Sequence, residues 1–190
     1  MIQKARIRTA WKNRNTERSV AEFASALSAI VWRISLNAAK NLHQEDFEYS
    51  DDSQRLGVVF EYVCFLCHVS DRLTYDRLDE QQRQAFITGL ASESMRHYAE
   101  NHVEILAVEP EAKNLFQQFN HRSGSYAQTR FGDDGPEFDM YRLLGAAIQE
   151  IMGQSQTNRW VMDHVVDIDG PNSFDLFSKS FAKLAAASGY

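Results

Sequence analysis

The 190-residue chain is 44% hydrophobic and 12% aromatic, with a formal net charge of -6. Such a chain can bury a sizeable core without disulfides or metal, which excludes wholesale disorder, and its 9 Gly and 3 Pro are too few for a turn-rich all-β fold. Of the 20 basic residues, Lys4, Arg6, Arg8, Lys12 and Arg14 precede any acid and leave 15 against 26 acidic residues; so acidic a body argues against a nucleic-acid-binding domain.

Residues 1–14 read as a basic N-terminal arm or frayed helix, and 15–190 as a single helical domain. From Asn15 to Leu42, the residues Val20, Phe23, Ala24, Leu27, Ile30, Val31, Ile34 and Ala38 recur at i, i+3, i+4 and i+7, which predicts a long amphipathic helix. Ser19 with Glu22 forms a capping-box pair near its start. His43 to Asp52 is a polar, acidic loop whose Asp and Ser residues suit the cap of the next helix.

That second helix spans about Ser53 to Tyr75. Its middle, Leu56 to Val69 (LGVVFEYVCFLCHV), is apolar almost all round, the pattern of a helix buried on every side. It nevertheless carries Glu61, Cys64, Cys67 and His68. A buried carboxylate must be paired or hydrogen-bonded. Glu61, His68 and Arg72 share one face at intervals of seven and four, so they are expected to form a structural polar cluster. The CxxC of Cys64 and Cys67 sits mid-helix without the preceding strand of a redox motif and without a second CxxC for zinc, so the thiols read as buried and inert. Lacking a disulfide framework, the chain is expected to be cytoplasmic, and no run reaches the roughly 18 apolar residues of a membrane span.

Asp79 with Gln82 caps a third helix reaching about Val108. Its apolar stripe is Phe86, Ile87, Leu90, Ala91, Met95, Tyr98, His102, Val103 and Leu106, while Glu93, His97, Glu100 and Glu104 form a solvated face. Pro110 opens a short helix through Phe119. His121 to Pro136, with three Gly and a Pro, reads as a long loop in which Asp133 or Asp134 acts as a turn or cap. Glu137 opens another helix, broken or bent at Gln154 to Asn158 and resuming from Trp160 to Val166. Asp167 to Pro171 is a turn, and Asn172 with Asp175 starts a last helix carrying Phe174, Phe177, Phe181 and Leu184. With no period-two strand and no repeat, the expectation is an all-α single-domain bundle of five to seven helices, the helix near 56–69 central among them.

Four of the 6 His are followed three positions later by an acid: His43–Asp46, His68–Asp71, His97–Glu100 and His164–Asp167. Such pairs raise an imidazole pKa on a helix surface or supply two ligands to one metal. Carboxylate and imidazole together suit Fe, Mn or Zn, so Glu61, His68, His164 and Asp167 are the candidate metal ligands, although the Glu-x-x-His pairs of di-iron bundles are missing.

Three functions follow. The leading one is a protein-binding or regulatory module without catalytic activity, engaging a protein partner or itself. The second is a metal-dependent oxidoreductase or hydrolase whose site is built around Glu61 and His68. The third is a carrier or sensor of an apolar ligand walled by Trp32, Tyr62, Phe65 and Trp160, which requires an internal cavity.

Overall fold

A computed structural model describes residues 19–190; the basic arm at 1–14 lies outside the described residues. The first helix, α1 (Val20–Gln44), starts where the sequence places its cap. The Ser19 hydroxyl accepts from the Glu22 N–H at 3.2 Å, and the Glu22 carboxylate accepts from the Ser19 N–H at 3.1 Å, satisfying two donors that a helix start leaves unpaired. Asp51 caps α2 (Asp52–Thr74) through the Gln54 N–H at 2.7 Å. A second capping box, Asp79 with Gln82, opens α3 (Glu80–Leu106).

Every residue of α2 from Val58 to Ser70 is buried, and the helix packs against α1, α3, α4 (Ala112–Tyr126), α5 (Phe138–Met152) and α7 (Gly170–Ser188). Helix α1 in turn packs on α2, α3 and α7. Phe23, Leu27, Trp32, Tyr62, Phe65, Phe86, Phe177 and Phe181 fill the core they share. The described residues thus form one all-α domain, with strand limited to a two-residue antiparallel pair, β1 (Phe131–Gly132) on β2 (Gly135–Pro136).

Three segments depart from the sequence reading. Helix α4 continues to Tyr126, well into the stretch expected to be a loop, and only 127–137 is irregular or hairpin. Asp133 and Asp134 do lie in a turn, between the two strands. At its tip Gly135 has φ +116, and a Cβ there would lie 2.3 Å from Phe174 Cζ, so only glycine fits both the backbone and the space.

The second departure is at Asp167 to Pro171, expected to be a turn. Helix α6 (Val161–His164) instead runs through a π-helical segment, Val165–Asp169, directly into α7. The Gly170 N–H bonds the Val165 carbonyl five residues back. In α geometry Pro171 would offer no N–H to the Asp167 carbonyl, and its ring would press on it. The wider turn relieves that conflict and keeps the helix continuous.

The third is the phase of α3. Its buried residues are Phe86, Leu90, Ser94, Met95, His97 and Asn101. His97, expected on the solvated face, is fully buried, whereas Val103, placed in the apolar stripe, is 43% exposed. Beyond Met95 the buried residues of α3 are the polar His97 and Asn101, so hydrophobicity alone misplaces its inner face. His102 is half-buried, and its Nδ1–H donates to the Val108 carbonyl at 2.7 Å, closing the end of the helix.

Candidate functional site

Two buried polar clusters flank α2, and a surface groove runs along α1. The first cluster centres on Glu61. Arg122 of α4 grips its carboxylate as a fork, Nε lying 2.8 and 3.0 Å and Nη2 2.5 Å from its oxygens. The Tyr126 hydroxyl donates to the same carboxylate at 2.5 Å. Arg122 and Tyr126 are four apart and therefore on one side of α4. Burial works against the charged guanidinium, but its hydrogen bonds and attraction to Glu61 hold Arg122 above its ordinary value. Burial, then the Glu61 charge, likewise pushes Tyr126 up.

The partners differ from those expected. Arg72 is exposed, its guanidinium 6.0 Å from the Phe131 ring centroid, and Arg122 takes the place assigned to it beside Glu61. His68 stacks on Tyr126, with centroids 6.0 Å apart and planes at 22°. Burial lowers its imidazole to about 4, with Asp71 opposing and Arg72 reinforcing the shift. His97 is also lowered, by burial first and then by Arg96. The i+3 acids were expected to raise these pKa values; at both positions desolvation outweighs them. Among the described residues, His68 Nε2, both ring nitrogens of His97 and Trp32 Nε1 have no hydrogen-bond partner.

The second cluster sits at the π-helical segment. Asp169 is buried, accepting from the Tyr62 hydroxyl at Oδ2 and from Asn41 Nδ2 at 3.4 Å. Burial raises its carboxyl, and the bonds from Tyr62 and Asn41 offset part of that. Neither Asp169 nor Asn41 was singled out in the sequence. The signal was present but ambiguous, since Asp169-Gly170-Pro171 spells a turn as readily as a widened helical one.

The metal candidates take separate roles. Glu61 is committed to Arg122 and Tyr126, His164 packs edge-on against Phe47 with centroids 5.2 Å apart, and Asp167 is exposed. Among the described residues no group of three or more His, Cys, Asp or Glu is placed to hold a metal ion, so Glu61, His68, His164 and Asp167 are not gathered into one centre. Cys64 and Cys67 are buried free thiols; burial raises Cys64 far above its ordinary value and takes Cys67 up to about 12, which keeps both protonated and unreactive. The aromatic walls expected for an apolar ligand are not a cavity either: Trp32, Tyr62 and Phe65 are packed in the core, and Trp160 is 60% exposed.

The groove is the feature that sequence reasoning missed. It encloses about 1010 Å³ along the outward face of α1. Its walls are largely apolar: Ile34, Leu36 and Ala39 of α1, Leu56 and Val59 of α2, Ile105 of α3 and Leu176 of α7. Leu176 is 51% exposed there. Arg33, Asn37, Lys40 and His43 run along the groove on α1, at spacings of three and four that keep them in line. Asp51 and Asp52 are also present, but Asp51 caps α2 at 2.7 Å and Asp52 pairs with Arg55 at 2.9 Å. Among the described residues Arg33 and Lys40 make no ion pair. A groove is a surface property assembled from four helices, so no single stripe of the sequence could reveal it.

No protein-family model, no curated protein and no solved structure matches the chain. No helix among the described residues is long and apolar enough to cross a membrane.

Proposed function

We propose that the protein is a non-catalytic helical binding module that receives an amphipathic helix of a partner protein in the α1 groove. The observation that carries this reading is the groove itself, a largely apolar channel of about 1010 Å³ whose lining includes Arg33 and Lys40, which make no ion pair among the described residues. An amphipathic helix laid into an apolar groove is a recurring mode of peptide recognition. The distribution of the polar groups supports binding rather than chemistry. Glu61 is bound by Arg122 and Tyr126, Asp169 by Tyr62 and Asn41, and none of these six lines the groove. The acids and bases inside the fold hold it together, and the surface that faces outward is shaped for a partner.

The test is selection of a displayed library of amphipathic helices on the full chain, with Leu176→Glu as the counter-bait. Leu176 is half exposed, so the substitution spares the core and places a charge in the channel. Helices that bind the native chain and fail on Leu176→Glu are the expected result. A selection that yields no helix, or only helices indifferent to Leu176→Glu, contradicts the proposal.

A further inference from the structure

We infer that the helix taken by the groove is acidic, carrying two carboxylates seven positions apart that meet Arg33 and Lys40. This rests on the helix-binding reading above and adds the partner's chemistry. Arg33 and Lys40 are themselves seven residues apart on α1, two turns or about 10.5 Å along its axis. Residues i and i+7 of a partner helix lying alongside have the same spacing, so Asp or Glu at those positions can face both cations at once, with apolar residues at i+3 and i+4 directed to the walls.

The charges around the groove favour this occupant. Asp52 is paired with Arg55 and Asp51 caps α2, so the lining carries three basic side chains, Arg33, Lys40 and Arg55, against two acidic ones, and Arg33 and Lys40 are the two that make no ion pair among the described residues. The chain beyond Arg14 has 15 basic residues against 26 acidic ones, so a cationic line on that surface is local. It steers an acidic ligand to one place and repels a basic one. A single-headed amphiphile such as a fatty acid brings one carboxylate and leaves the second cation unmatched. A second copy of the chain is a poor fit: Glu93 and Glu100 of α3 are seven apart, but Arg96 already holds them at 2.7 and 2.8 Å.

The experiment uses the same displayed library with its polar positions randomised, selected on the full chain and on the Arg33→Glu/Lys40→Glu variant. Both cations are exposed and unpaired within the described fold, so the variant is expected to fold as the native chain does, checked by its urea midpoint. The expected result is enrichment of Asp or Glu at positions seven apart. Individual helices should bind the native chain at least about tenfold more tightly than the variant, and the variant should enrich Lys and Arg instead. Enriched helices without an acidic preference, still lost on Leu176→Glu, overturn this inference and leave the helix-binding reading standing. No helix lost on Leu176→Glu overturns both, as does saturable dodecanoate binding with no helix enriched. Concentration-dependent dimerisation abolished by Leu176→Glu assigns the face to a second copy and also overturns it.

Discussion

Arg122→Met is the sharpest test of the buried ion pair. Glu61 is 4% and Arg122 18% exposed in their side chains, so the pair lies in the interior regime and not among surface salt bridges, which contribute about 0–1 kcal/mol. Removing the guanidinium strips the fork from a carboxylate whose one remaining partner among the described residues is the Tyr126 hydroxyl. Breaking a buried pair by deleting one member costs about 3–5 kcal/mol. For a domain of this size, about 2–4 °C of melting temperature per kcal/mol gives a fall of roughly 6–20 °C. The assay is urea unfolding at pH 7, read as a lower midpoint with an unchanged slope. The second variant, Glu61→Gln with Arg122→Met, removes both charges and keeps an acceptor for Tyr126. It is expected to recover at least half of the loss, because the stranded charge and not the missing attraction is the main cost. A loss below about 1 kcal/mol in Arg122→Met, or a double variant no better than the single, would refute this account of the cluster.

Burial lowers the folded-state pKa of His68 to about 4, below the unfolded value of about 6.5. The unfolded chain therefore takes up this proton first, and stability complete above about pH 6.5 should fall by up to about 3 kcal/mol on the way to pH 4. Urea midpoints should track that loss, and His68→Gln should flatten it. Asp169 contributes with the opposite sign: its folded carboxyl is raised, mainly by burial, so its contribution is present at low pH and is lost as pH rises through the folded value. Asn158, 3% exposed, accepts from the Glu48 N–H at 2.9 Å and donates to the Glu48 and Met152 carbonyls at 2.8 and 3.0 Å. Asn158→Ala unpairs these groups and is expected to cost about 2–4 kcal/mol in chemical denaturation. Among glycines, Gly135→Ala should destabilise by at least about 2 kcal/mol through its positive φ and the Phe174 clash. Gly124→Ala, helical with open space around its Cβ, should stabilise by roughly 0.5–1 kcal/mol; calorimetric melting separates the two. His97→Leu removes two unpartnered buried nitrogens and should be neutral or stabilising by about 1 kcal/mol; a loss above about 2 kcal/mol would assign those nitrogens a partner.

Periodicity and caps made the all-α architecture legible. Ser19 with Glu22 and Asp79 with Gln82 mark helix starts in the sequence as they do in the fold. Glu61 was legible as a buried group needing a partner, but the identity of that partner was not. Ser123-Gly124-Ser125 lowers local helix propensity enough to suggest a loop, and the ion pair with Glu61 and the burial of Tyr126 hold α4 helical through it. Local composition thus hid Arg122 and Tyr126, the residues that complete the cluster. Asp169 was obscured in the same way, because Gly170 and Pro171 announce a turn and do not distinguish a widened helical one. His97 was misplaced because an inner face built from Ser94, His97 and Asn101 lacks the apolar signal that a stripe analysis needs.

The claim that α1 carries the binding face is tested most directly by hydrogen exchange on the full chain, with and without a helix selected on it. The account predicts slowed exchange along Arg33 to His43, at Leu56 to Val59 and at Leu176 to Ser180, and less of it in Arg33→Glu/Lys40→Glu at the same helix concentration. Protection confined to another face would contradict it, whereas protection of these segments unchanged by the charge reversal would contradict only the acidic character of the ligand.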